Sequence, residues 1–182
     1  MNVGASKPTE YGKYFQWGDT VGYTSDQIGT GEGKKKFARD WSDYKWGVQP
    51  NFTKYTESHI KLELEDDAAH VNMGGDWHMP TDVQIHELID NTTTAWTTPN
   101  DIDCITFTSK NNKSKSIFIP VAGFAVNGSI GRIGSECYVL SSILNGFIDA
   151  GECLVLDDHG GVWFSTDSTT RYFGCSVRGV IG

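Results

Sequence analysis

The run Cys153-Leu154-Val155-Leu156-Asp157-Asp158-His159-Gly160-Gly161-Val162-Trp163-Phe164-Ser165-Thr166 sets two strand-forming segments, 153–157 and 162–166, on either side of a polar, glycine-ended turn. Glycine and Asp tolerate the backbone angles that tight turns demand, so the stretch predicts an antiparallel hairpin. Further short strands are predicted over 138–141 and 173–180. Residues 121–182 then read as one glycine-punctuated β region. This tail holds eleven of the 21 glycines and three of the 4 cysteines, yet no Lys, Gln, Met or Pro.

Ahead of the tail the composition obeys other rules. Residues 104–108 and 116–119 predict two strands joined by the polar turn Lys110-Asn111-Asn112-Lys113. A helix is predicted over 65–72, with Asp66 and Asp67 favouring its N-terminal end and Gly74-Gly75 stopping it. A second helix follows Thr81, which forms a capping box with Gln84 and places Ile85, Leu88 and Ile89 on one stripe. Tyr11, Tyr14, Phe15, Trp17, Tyr23, Trp41, Tyr44, Trp46, Phe52 and Tyr55 supply rings for a core or for irregular packed loops. The expected class is α+β, a single domain of 182 residues with a scaffold part at 1–120 and a β-rich part at 121–182.

Charge and spacing narrow the function. A net charge of −8 and one isolated basic run, Lys34-Lys35-Lys36, give no field for a phosphate backbone, so no nucleic-acid partner is expected. No apolar window is long enough to span a membrane, and residues 1–5 lack the pattern of a signal peptide. The widely spaced Cys104, Cys137, Cys153 and Cys175 form no zinc-type pair. His70, His78 and His86 recur every eight residues, but Gly74, Gly75 and Pro80 interrupt any helix that would align them as metal ligands. No cofactor and no metal are expected.

Four ordered segments together resemble a known family: 2–8 with 10–18, 64–69 with Gly74-Gly75-Asp76-Trp77-His78-Met79-Pro80-Thr81, Ile117-Phe118-Ile119-Pro120-Val121-Ala122-Gly123-Phe124, and Gly174-Cys175-Ser176-Val177-Arg178. They are similar to the Fibrobacter succinogenes major paralogous domain, related to the formylglycine-generating-enzyme branch of the C-type lectin fold. The resemblance implies a C-type-lectin-like fold with paired termini. Catalytic relatives use a cysteine pair near the C-terminus, whereas Cys175 stands alone here, so that activity does not carry over. Gln49-Pro50-Asn51 imitates part of a calcium-dependent sugar site, but the Trp-Asn-Asp motif that completes such a site is missing.

The tail departs from that family at scattered positions: Val126, Ile130, Arg132, Ile133, Cys137, Val139, Leu140, Ile143, Leu144, Phe147, Ile148, Cys153, Asp158, His159, Phe164, Phe173 and Cys175. Apart from Ile148 and Cys153, and with Asn127 added, these form the expected ligand-binding set, on the reading that large apolar groups sit on a loop-rich surface. C-type lectin domains also serve as display scaffolds for diversity-generating retroelements, whose copying mutates adenines. Randomising both adenines of an Asn codon that ends in C or T yields Ile, Val, Leu, Phe, Cys, His, Asp, Arg or Tyr, among others, but never Lys, Gln, Met, Trp or Glu; the tail has none of the first three, one Trp163 and only Glu136 and Glu152. The missing lysines fit that origin, and so do cysteines that stay thiols rather than disulfides. The competing reading is that Val, Ile and Phe are simply the tail's core.

The expected function is therefore a non-enzymatic receptor-binding display protein, resembling a retroelement variable protein of a gut bacterium or its phage. Its partner would be a cell-surface protein or glycan, its location a virion or cell surface, and its assembly a homo-oligomer within a larger structure. Two alternatives stay open: a decoration domain with no specific ligand, and an oxidase using Cys175 or Cys137. Two substitutions follow from the same reading. Trp77→Ala should remove a buried ring, and replacing Phe164 and Phe173 together should spare folding.

Overall fold

In the computed structural model all 182 residues are described apart from the side chains at 167 and 168. Fourteen elements follow in chain order. They are β1 (Tyr14–Phe15), β2 (Gly47–Val48), β3 (Asn51–Phe52), α1 (Ala68–Met73), α2 (Asp82–Asn91), β4 (Thr92–Thr97), β5 (Cys104–Ser109), β6 (Ser116–Pro120), β7 (Phe124–Val126), β8 (Ser129–Gly131), β9 (Glu136–Leu144), β10 (Ala150–Asp157), β11 (Val162–Thr170) and β12 (Cys175–Ser176). Strands dominate and helices are two, so the α+β class holds.

The central sheet runs in the order β1-β12-β9-β10-β11. Its β12–β9 pair is parallel and the others are antiparallel. The β10–β11 hairpin turns where the sequence places it. Asp157 caps the turn, its Oδ1 accepting from the His159 and Gly161 amides at 3.0 and 2.7 Å, and Gly160 takes φ +78°. Sequence-distant ends meet at the far edge, where the Val3 amide donates to the Val177 carbonyl at 2.8 Å and Asn2 bridges to Arg178. A three-stranded sheet β4-β5-β6 and two small hairpins, β2–β3 and β7–β8, complete the strand pairing.

Strand β9 shows why the centre is stable. Successive side chains point to opposite faces, and here both faces are covered. Cys137 and Val139 join Leu154, Leu156, Ile105, Phe107 and Ile119 in one buried cluster, on which Leu88 and Ile89 of α2 also pack. Leu140 and Leu144 join Trp17, Tyr55, Met79, Cys175 and Val177 in another. A strand buried on two sides carries no alternation of apolar and polar residues, so its length is underread from sequence. The observed β9 is nine residues, against the four predicted.

Both helices form near their predicted places. Thr81 and Gln84 make the capping box, with the Thr81 Oγ1 accepting from the Gln84 amide at 3.3 Å and Gln84 Oε1 accepting from the Thr81 amide at 3.0 Å. The first helix starts later than predicted. Asp67 is its cap, accepting from the His70 amide at 2.9 Å, and Asp66 sits in a preceding 3-10 turn. Asp66 is recruited elsewhere, by Lys45 at 2.9 Å, Lys54 at 2.6 Å and the Tyr55 hydroxyl at 2.7 Å.

Two other expectations are corrected. The segment 173–180 is regular only over Cys175–Ser176, because its pairing partner changes along its length: Ala125 against Gly174, β1 and β9 against β12, Asn2 against Arg178, then His78 against Val180. Trp77 is half-buried and belongs to neither core cluster, whereas its neighbour Met79 is fully buried. The backbone amide of Met79 is held by the Asp67 carboxylate at 2.8 Å, so Asp67 rather than the Trp77 ring anchors that turn.

Candidate binding face

The predicted site residues separate into a buried group and an accessible one. Cys137, Val139, Leu140, Leu144 and Cys175 lie in the core, at 2% exposure or less. The sequence expectation places them on the surface, but β9 and β12 are interior strands and leave no side of these residues open. The competing core reading is the right one for these five. Their chemistry agrees. Burial first, then neighbouring thiols, pushes the Cys175 thiol well above its usual range, and burial raises Cys137 against the opposing hydrogen bonds of Ala122 and Ser176. A thiol held protonated is a poor nucleophile.

The accessible group splits again. Val126, Asn127 and Ile130 lie on the β7–β8 hairpin, whose tip docks on an earlier loop: the Asn127 amide donates to the Phe37 carbonyl at 3.0 Å and the Gly128 amide to the Lys36 carbonyl at 2.6 Å. Arg132 and Ile133 follow at one end of the central sheet. Asp158 and His159 join them there, since the Asp158 amide donates to the Ser135 carbonyl at 2.8 Å. Arg132 approaches Glu136 at 4.0 Å, and the exposed His159 and Asp158 pair at 2.7 Å. Ile143 and Phe147 belong to the other end of β9, roughly 25 Å away at about 3.3 Å per residue. Phe164 is on the opposite face, its ring 4.7 Å from that of His86 on α2.

Phe173 leads to the feature that sequence reasoning missed. Its ring stacks on Phe124 at 5.1 Å with 16° between planes, and Phe124 meets Tyr138 edge-on at 5.3 Å. In the other direction Phe173 touches Tyr172 at 5.0 Å, and Tyr172 touches Trp41 at 4.8 Å. All five rings of this chain are half-buried. The row continues across the sheet, because Val155 stands opposite both Tyr138 and Trp163 in register, and Trp163 is 43% exposed.

This face is held rigidly from behind. Arg171, fully buried, donates to the Lys54 and Tyr55 carbonyls, and its guanidinium lies 4.0 Å from the Phe52 ring centre. The Tyr138 hydroxyl donates to Glu136 at 3.1 Å. Burial first, then the Glu136 carboxylate, drives that phenol far above its ordinary range, so it stays a donor at any physiological pH. The outcome is a band of ring faces and edges bordered by Arg132, Glu136, Asp157, Asp158 and His159. Such a band can stack against planar or apolar surfaces while its border supplies hydrogen bonds.

Two of the missed residues carried a signal. Tyr138 and Tyr172 are both products that the same Asn codon can yield, yet neither belongs to the expected set. Trp41 comes from the part read as scaffold, and only folding brings it to the tail, whereas Phe124 lies in the tail but inside a segment that carries the family resemblance. The three histidines that recur every eight residues are used locally: His70 Nδ1 contacts the Trp77 carbonyl at 3.1 Å, His78 Nδ1 the Met79 carbonyl at 2.9 Å, and His86 the Phe164 ring. Among the described residues no helix is long and apolar enough to cross a membrane. Comparison with protein-family models, with curated proteins and with solved structures finds no match for this chain.

Proposed function

We propose that this protein is a binding domain of C-type-lectin-like architecture that engages a cell-surface protein or glycan through the aromatic band. The observation that carries the reading is the continuous, half-open run Trp41-Tyr172-Phe173-Phe124-Tyr138, with Trp163 beyond it, on a hydrogen-bonded sheet. Half-exposed aromatic groups on a rigid base give large contact area at little entropic cost, which favours recognition. The pairing of the two termini and the two helices beside a mainly antiparallel sheet support the fold assignment. So do the four sequence segments that resemble the Fibrobacter succinogenes major paralogous domain.

The retroelement reading is kept in a narrower form. Val126, Asn127, Arg132, Ile133, Asp158, His159 and Phe173, with Tyr138 and Tyr172, are the positions whose variation would alter the face. Ile130 and Phe164 pack against the cluster under α2, Ile143 and Phe147 lie apart from the band, and the five core positions leave the set. A virion or cell-surface location and a larger homo-oligomeric assembly belong to the same proposal.

Two experiments test it. Sequencing the flanking DNA should reveal a near-identical repeat beside a reverse transcriptase, with differences at adenines in codons of the face and none at the codons of Val139 or Leu140. A repeat that differs at core codons instead would overturn the variable-face assignment. Independently, labelled protein should bind a subset of a panel of gut bacteria, and Tyr172→Ala combined with Trp163→Ala should cut that binding about tenfold or more while the melting curve stays cooperative. Undiminished binding by this variant would remove the aromatic band from the proposal. Protease or glycosidase treatment of the cells then separates a protein receptor from a glycan.

A further inference from the structure

A cavity of about 370 Å³ lies on the side of the sheet away from the aromatic band, between α2, strands β5 and β6, strands β9 and β10, and the C-terminal segment. Its walls are apolar and include Ile85, Leu88, Ile119, Val139, Leu154 and Val180. One cationic side chain lines it, Arg178. The part-buried Arg178 guanidinium donates from Nη1 to the Phe118 carbonyl at 3.0 Å. Five N–H donors are available on a guanidinium, so this bond leaves most of its capacity unused.

Arg178 has no carboxylate partner among the described residues. Burial moves its ionisation downward, and the charge that the structure sets near it, the Met1 ammonium, is also positive. Glu87 also lines the cavity but is exposed and forms no pair with it. Other polar groups at the wall are already engaged: Thr92 Oγ1 donates to the Leu88 carbonyl, Asn91 to the Glu87 carbonyl and Gln84 to a main-chain oxygen of Gly182, and Ser109 Oγ accepts from the Asn112 amide. A part-buried cation with no counter-ion beside an apolar hollow is costly unless an anion with an apolar body fills it. Pairing the charge and drying the walls would then occur in one binding event.

We propose that this cavity binds an apolar monocarboxylic acid, with its carboxylate on Arg178 and its hydrocarbon chain between α2 and the sheet. A hollow of this size with apolar walls suits a hydrocarbon chain of medium length, and decanoate is a probe of that class. None of the five rings of the aromatic band lines this cavity, so the proposal stands apart from receptor binding.

Calorimetric titration of the whole chain with decanoate, below its micelle concentration, tests it, with decanamide as the uncharged probe of equal length. The expected result is saturable binding at one site, weaker by about tenfold or more for the amide. Arg178→Met should weaken decanoate to a similar degree and leave the amide unchanged. Ile181→Asp, which places a negative charge at an exposed rim position of the same cavity, should weaken decanoate while the fold persists. Non-saturable uptake, equal affinity for acid and amide, or wild-type affinity in a folded Arg178→Met protein would each overturn the proposal. If Arg178→Met does not fold, wild-type affinity in Ile181→Asp overturns it instead.

Discussion

The two faces of strands β9, β10 and β11 are made from alternate residues of the same segments, yet they end in different states. Under α2, Cys137, Val139, Leu154 and Leu156 are packed into a cluster shared with the three-stranded sheet. On the reverse face the row Tyr138, Val155, Trp163 is fully buried only at its middle. Strand composition does not separate these faces, since both present large apolar groups. What separates them is the cover. A capped amphipathic helix roofs one face, whereas a ladder of rings from 41, 124, 172 and 173 reaches only part-way across the other.

The largest expected effect tests that difference directly. Leu154→Ala leaves a hole in the roofed face and should cost about 2–5 kcal/mol in urea unfolding. Trp163→Ala removes a bigger side chain from the open face and should cost under about 1 kcal/mol. Equal losses would mean that the reverse face is as closed as the roofed one. Next comes Phe173→Ala, expected near 1–2 kcal/mol, because a half-buried ring loses part of a core truncation together with its stack on Phe124. Phe164 packs against one core cluster and Phe173 against the other. Their double replacement should therefore show summed destabilisation, unlike the sequence expectation that folding would be spared.

A third, smaller effect concerns the roof. Thr81→Ala removes the capping bond to the Gln84 amide and should cost about 1 kcal/mol. Hydrogen exchange would localise the loss to the first turn of α2, and protection lost over β11 instead would show that the helix does not hold its face independently. This cap is also where the sequence was most legible. A capping box is a contact within four residues, so reading it needs no knowledge of the rest of the chain. The hairpin at Asp157 to Gly161 was legible for the same reason.

Other parts resisted because their cause is distant. Cys137, Val139 and Leu140 look like surface departures until β12 and β10 flank them, and no local pattern marks a strand that is buried on both sides. Strand β4, with its run of threonines, has β-branched residues but no alternation, and it forms because β5 pairs along its whole length. The aromatic band was the least legible feature. Trp41 and Tyr172 are far apart in the chain and meet at 4.8 Å only once the fold has closed. The tail supplies every ring of the band except Trp41, yet of these rings only Phe173 belongs to the set expected from sequence.

The smallest effect probes what roofing a face costs. Glu152, on β10, senses α2: burial first, and then the Asp82 carboxylate, raises its carboxyl above the ordinary value, with His86 opposing. A carboxyl raised in the folded state binds protons more tightly there than in the unfolded chain. Stability should therefore fall as pH rises from the ordinary glutamate value, about 4.3, through the raised folded value, and then level off. Glu152→Gln has no such slope. Unfolding free energies of the two proteins should thus diverge in favour of the variant between pH 4 and pH 7. Asp82→Asn in the same background as the native Glu152 should shrink that divergence, since it removes the second cause of the shift. A difference that stays constant across the range would mean that Glu152 faces solvent rather than the helix, and the contrast between the two faces would then be weaker along this part of β10.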